Sequence, residues 1–156
     1  MGVKDANGCM ASLSVTLVEP TALIAAPVTI VNATCNGSAT GSVTLSSTGG
    51  VAPYQFLMNG GTLQSANVFS SLTKGTYVFT AVDANGCTDD TTISLTEPPL
   101  LRLNLLAKVN VSCYGNANGS ISLSATGGTF PYQFRINNGA YQSLSTYSNL
   151  AAGNYE

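Results

Sequence analysis

Short runs of alternating apolar and polar residues follow one another along the chain. Leu13, Val15 and Leu17 alternate with Ser14 and Thr16, and Val43 and Leu45 with Ser42, Thr44 and Ser46. Tyr54, Phe56 and Met58 keep the same period of two, as do Tyr77, Phe79 and Ala81, and then Ile93 and Leu95. A period of two puts one set of side chains on one face of a strand, so these runs predict half-buried β-strands. A β-branched run over 27–34 and a weaker one over 67–72 predict two more. Turn formers stand between the runs: Asn36-Gly37, Gly49-Gly50, Asn59-Gly60-Gly61 and Asp83-Ala84-Asn85-Gly86. No stretch carries a helical period. About seven short strands, with turn signals roughly 8–12 residues apart, are the pattern of an all-β sandwich.

The whole pattern occurs twice. Asp5-Ala6-Asn7-Gly8-Cys9 returns as Asp83-Ala84-Asn85-Gly86-Cys87, an offset of 83 − 5 = 78. Glu19-Pro20 returns as Glu97-Pro98, Cys35 as Cys113, Gly49-Gly50 as Gly127-Gly128, and Pro53-Tyr54-Gln55-Phe56 as Pro131-Tyr132-Gln133-Phe134. About 33 of the 78 aligned pairs are identical and no gap is needed, so this is a tandem repeat whose unit is long enough to be a small domain. Proline restricts the residue before it and gives no ladder hydrogen bond, which makes each Glu-Pro a natural boundary. Residues 1–20 then read as the C-terminal hairpin of a preceding unit, 21–98 as one complete unit, and 99–156 as a second unit lacking its final hairpin. Two explanations of this phase stand side by side. The chain is a window on a longer array, or residues 1–20 complete the last unit of another chain by strand addition.

Leu72, Gly75 and Tyr77, repeated as Leu150, Gly153 and Tyr155, precede a strand. They resemble the tyrosine corner of immunoglobulin-like sandwiches, and the expected architecture is therefore tandem immunoglobulin-like β-sandwich units.

Composition narrows the function. Charged residues are 8% of the chain, against roughly 25% in ordinary globular proteins. Five Lys and Arg make no basic patch, so nucleic acid is not an expected partner. No apolar run has the length of a membrane helix, and Asp5 interrupts the start before a signal-peptide core could form. There is no His, and the carboxylates fall in turns and at unit boundaries, so neither a nucleophile with its base nor an acid–base pair is assembled. No enzyme activity and no cofactor are expected.

Four cysteines at fixed repeat positions favour disulfides and an oxidising, extracellular setting. Cys35 with Cys87 would close a bridge within the complete unit, the preferred pairing because one unit should fold alone. Cys9 with Cys35, and Cys87 with Cys113, would cross the unit junctions. Either requires Cα atoms within about 7 Å. Asp5, Asn7, Asp83 and Asn85 offer oxygen atoms that could hold calcium, although an Asn-Gly hairpin turn accounts for the same residues. The aromatics Tyr54, Phe56, Tyr77, Phe79, Tyr132, Phe134 and Tyr155 have the spacing of a core. Tyr114 and Tyr141 face Asn36 and Leu63 in the other copy and are the better surface candidates.

The ordered series Cys113-Tyr114-Gly115, Asn118-Gly119-Ser120, Gly127-Gly128, Pro131-Tyr132 and Leu150-Ala151-Ala152-Gly153-Asn154-Tyr155 resembles the SprB-type repeat of cell-surface adhesins in gliding bacteria. In the first copy it closes with Asp83-Ala84-Asn85-Gly86-Cys87 and Glu97-Pro98. The chain departs from that pattern at Leu57-Met58 and Arg135-Ile136, where the family often has tryptophan. The resemblance implies very long proteins, exported by the type IX secretion system, that form surface filaments driven by gliding motors. It implies a structural stalk whose partners are neighbouring repeat units of the same chain or filament. The alternative is a module that itself adheres to surface polysaccharide. It also makes Thr91, in Asp90-Thr91-Thr92, a candidate for O-glycosylation.

Overall fold

The computed structural model describes all 156 residues and contains only β-strands, turns and loops. A short hairpin opens the chain, β1 (Gly2–Lys4) and β2 (Met10–Ser12). Residues 21–98 hold six strands: β3 (Ile24–Val31), β4 (Gly41–Thr48), β5 (Gln55–Met58), β6 (Val68–Leu72), β7 (Gly75–Val82) and β8 (Thr88–Leu95). They form two three-stranded sheets, ordered β3-β4-β6 and β5-β7-β8. In residues 99–156, β9 (Arg102–Val109), β10 (Gly119–Thr126) and β11 (Thr146–Leu150) form one sheet, ordered β11-β10-β9.

The alternation read from the sequence is the alternation of burial. In β4, Gly41, Val43 and Leu45 are buried while their neighbours are partly exposed. Phe79 and Ala81 in β7, and Ile93 and Leu95 in β8, are buried likewise. The two sheets of 21–98 are layered face to face. A Cβ on Gly41 of β4 would come within 2.9 Å of Leu95 Cδ1 on β8. The Ala25 amide of β3 donates to the Asp89 carboxylate of β8 at 2.8 Å. This is a β-sandwich.

Cα packing divides the chain into two compact units. One comprises Met1–Ala26, Ser46–Asn67 and Val78–Thr91. It contains the first hairpin and the β5–β7 pairing, which runs Gln55↔Val82 to Met58↔Phe79. The other comprises Pro27–Leu45, Val68–Tyr77 and Thr92–Glu156. It contains the β4–β6 pairing at Gly41↔Leu72 and Val43↔Phe69, together with the whole β9–β10–β11 sheet.

Three strands differ from their expected extents. The run predicted for 27–34 is realised as Ile24–Val31 with Pro27 inside it. β3 is an edge strand, and an edge position tolerates the missing N–H. The run Ser12–Leu17 forms a ladder only to Leu13, whose amide and carbonyl pair with Met1. Residues 133–136, equivalent to β5, form no strand and keep only the Phe134↔Gln142 bridge, the counterpart of Phe56↔Gln64. β5 is held by β7, and 99–156 has no strand paired in that place.

Candidate functional site

Three small assemblies in 21–98 are built around residues that both copies share, Asp83, Gly49-Gly50 with Tyr54, and Glu97. The first is the turn between β7 and β8. Asp83 Oδ1 accepts from the Asn85 amide at 2.9 Å and the Cys87 amide at 2.8 Å, and Oδ2 accepts from the Val51 amide at 2.9 Å. The Asp83 amide donates to the Cys87 carbonyl, and the Ala84 amide to the Val51 carbonyl. Asp83 is buried. Burial works to raise its pKa, but the hydrogen bonds from Val51, Cys87 and Asn85 outweigh it and hold the carboxyl below its ordinary 3.8. Asp5 repeats the local part of this turn, accepting from Asn7 at 3.0 Å and Cys9 at 2.8 Å. Both carboxylates are therefore turned to backbone donors. Nowhere in the structure do three or more His, Cys, Asp or Glu gather as a metal cluster, and Asp5, Asn7, Asp83 and Asn85 serve their hairpins.

The second assembly is the corner after β4. Gly49 and Gly50 have φ of +70° and +58°, and a Cβ on Gly49 would collide with the Ala22 carbonyl. Only glycine accepts both demands. The Gly50 amide donates to the Thr21 carbonyl, and the Tyr54 hydroxyl donates to the Gly49 carbonyl at 2.6 Å. Gly127, Gly128 and Tyr132 repeat the arrangement, with Gly128 donating to the Pro99 carbonyl. Tyr54 and Tyr132 thus lock a corner, a role that their placement in an alternating run did not reveal.

The third assembly lies where β8 ends. Glu97 accepts from the Gly37 amide at 2.7 Å and the Asn36 side chain at 2.9 Å, and Asn36 also donates to the Pro98 carbonyl. Lys74 adds an ion pair to Glu97 at 3.5 Å. The Thr96 amide donates to the Asn32 side chain, and its carbonyl accepts from Ala33. The sequence marked Glu97 only as a boundary. The signal for more was there, since few carboxylates exist and this one is kept in both copies.

The Tyr77 hydroxyl donates to the Thr73 carbonyl at 2.9 Å, and Tyr155 to the Ala151 carbonyl at 2.9 Å. Each hydroxyl thus holds a carbonyl four residues upstream, in the turns that run from Leu72 to Gly75 and from Leu150 to Gly153. All four cysteines are free and exposed. The preferred bridge between Cys35 and Cys87 is not formed, nor are those of Cys9 with Cys35 and Cys87 with Cys113. Cys35 lies before β4. Cys87 is tied through Asp83 to Val51, beyond the other end of β4. Thr91 is half-buried, on the face of β8 that carries Ile93 and Leu95. Tyr114 is fully exposed, and Tyr141 lies under the Arg135 guanidinium, 4.9 Å from the ring centroid.

Residues 28–63 and 106–141 each match the family model described as the SprB repeat. The chain carries two SprB repeats. The matches are themselves 106 − 28 = 78 residues apart, the period read from the sequence. The SprB repeat is a structural repeat of cell-surface adhesins and not an enzyme family. No curated protein and no solved structure matches the chain. No helix is long and apolar enough to cross a membrane.

Proposed function

We propose that these SprB repeats are stalk units of an extracellular surface filament, built for length and stiffness. The observation that carries this reading is the junction at Pro98–Pro99. The Pro98 carbonyl accepts from Asn36 at 3.2 Å, and the next carbonyl, Pro99, accepts from Gly128 at 2.7 Å. One period is tied down up to the last residue before the junction and the next from the first residue after it. No free linker intervenes, and both residues are prolines, which are conformationally restricted. Each unit is read as immunoglobulin-like, with boundaries after Pro20 and Pro98, on the support of the two sheet orders and the tyrosine corner before β7. The family resemblance supports a setting on gliding bacteria for such stalks, with export by the type IX system and neighbouring repeats as partners. Binding of polysaccharide by the units themselves has less support. The exposed Tyr114 and Tyr141 have Asn36 and Leu63 as counterparts, so no aromatic platform recurs from copy to copy.

Small-angle scattering tests stiffness at the junction. The native chain should scatter as a single fixed arrangement. Inserting Gly-Ser-Gly-Ser between Pro98 and Pro99 should broaden the distance distribution and raise the flexibility signature. Equal flexibility in both chains would contradict the stalk reading.

A further inference from the structure

Asparagine followed by glycine occurs six times in the chain, and three of those pairs fall in 21–98: Asn36-Gly37, Asn59-Gly60 and Asn85-Gly86. The pair has a chemistry of its own. The backbone nitrogen of the glycine attacks the side-chain carbonyl carbon of the asparagine and closes a succinimide ring, and glycine has no side chain to hinder the closure. All three asparagines are exposed, so access to water does not separate them. Their hydrogen bonds do.

Ring closure requires the carboxamide to turn onto the next backbone nitrogen. Asn36 is held at its side-chain nitrogen, which donates to Glu97 Oε1 at 2.9 Å and to the Pro98 carbonyl at 3.2 Å. Its nucleophile is held as well, because the Gly37 amide donates to Glu97 Oε2 at 2.7 Å. Loss of that proton would set a negative nitrogen against a carboxylate. Asn59 is held at its side-chain oxygen, which accepts from the Val78 amide at 2.9 Å, while its own amide donates to the Val78 carbonyl at 2.8 Å. Asn85 is engaged through its backbone amide, which donates to Asp83 Oδ1 at 2.9 Å, and its carboxamide has no partner. The Gly86 amide donates to a neutral acceptor, the Asp83 carbonyl, at 3.0 Å. A Cβ on Gly86 would have nothing within 4 Å, so the space around the reacting atoms is open.

We infer that Asn85 is a self-modification site, which converts to aspartate and isoaspartate while hydrogen bonds protect Asn36 and Asn59. The Gly86 nitrogen gives its proton to solvent and bonds to Cγ of Asn85. The bond from Cγ to Nδ2 breaks and ammonia leaves. Water then opens the ring. Cleavage between Cγ and the Gly86 nitrogen gives aspartate. Cleavage between the backbone carbonyl carbon and that nitrogen gives isoaspartate, with the chain now running through the side chain. In sum, a carboxamide and water become a carboxylate and ammonia, with no redox change. The position matters because Asp83 Oδ1 holds the amides of Asn85 and Cys87. Isoaspartate puts an extra methylene into the backbone between Asp83 and Cys87, and either product sets a second carboxylate beside a buried one. The conversion thus loosens the fastener that ties the β7–β8 turn to Val51. Asn7 repeats the turn, with Asp5 accepting from the Asn7 and Cys9 amides, and should react likewise. The inference does not depend on the stalk reading.

The test is peptide mapping by mass spectrometry after the folded chain has stood for days in warm, mildly alkaline buffer. Trypsin cuts after Lys74 and Arg102, and residues 75–102 contain Asn85 as their only asparagine and no glutamine. A deamidated 75–102 peptide therefore reports Asn85 alone, and fragmentation of residues 5–74 reads Asn36 and Asn59. Asn85 should convert first, and Asn36 more slowly by roughly tenfold, the penalty of two side-chain hydrogen bonds. In denaturant, where no fold holds them, the three should converge. Glu97→Ala removes the acceptor of both Asn36 and Gly37, so it should speed conversion at Asn36 and leave Asn85 unchanged. The aged fraction with isoaspartate at position 85, separated by ion exchange, should unfold at a lower denaturant concentration than fresh chain. The proposal is overturned if Asn85 does not convert, if Asn36 or Asn59 keeps pace with it in the folded chain, if the difference persists in denaturant, if Asn36 stays as slow in Glu97→Ala, or if the isoaspartate form unfolds as fresh chain does.

Discussion

At the scale of single residues, the few charged groups in this chain act as fasteners. Asp83 joins three backbone amides from two segments, and Glu97 joins the end of β8 to the turn after Cys35. Because folding lowers the pKa of Asp83, its contribution to stability is complete above the ordinary carboxylate range and is lost as pH falls through the folded value. Asp83→Asn presents one acceptor oxygen and an amide group to the same three donors. Unfolding midpoints should therefore drop at pH 7 and depend less on pH below about 4 than those of the native protein. A variant that matches the native midpoint at pH 7 would show that the turn does not need its carboxylate. These roles were only half legible in advance. The spacing Asp-Ala-Asn-Gly announces a hairpin by itself, but the bond from Val51 to Asp83 joins residues 32 apart, and no local pattern carries it.

At the scale of elements, alternation did most of the work. Val43, Leu45, Phe79, Ala81, Ile93 and Leu95 are buried as the period of two requires. The tyrosines were harder to place, because a hydroxyl makes an inward residue polar at its tip. Tyr54 uses that tip to hold the Gly49 carbonyl and Tyr77 to hold the Thr73 carbonyl. Tyr147 does not. It stands where the other copy has Phe69, and its hydroxyl is buried without a hydrogen-bond partner. Tyr147→Phe removes a polar atom that gains nothing from burial, so it should be neutral or stabilise by about 1 kcal/mol. Urea denaturation measures this, and a loss of more than about 1 kcal/mol would mean that the hydroxyl has a partner in solution. The cysteines show the limit of sequence spacing. Their recurrence suggested a bridge inside the unit, and all four are free and exposed in the structure; spacing along the chain carries no information on which thiols meet.

At the scale of the whole molecule, the period of 78 residues is the dominant fact. It was fully legible, since it needs only the chain compared with itself, and the two SprB matches fall on it. What comparison of the copies could not supply was the way one period meets the next. That rests on two consecutive carbonyls, Pro98 and Pro99, each taken by a donor from a different period. A stalk made this way should show its unit directly. Electron microscopy of the assembled material, with the spacing along the fibre recorded, tests this most directly. The account predicts thin filaments with an axial repeat of roughly 35–45 Å, an eight-residue strand plus a turn at each end. Compact particles with no axial periodicity, in material whose repeats are folded, would contradict it.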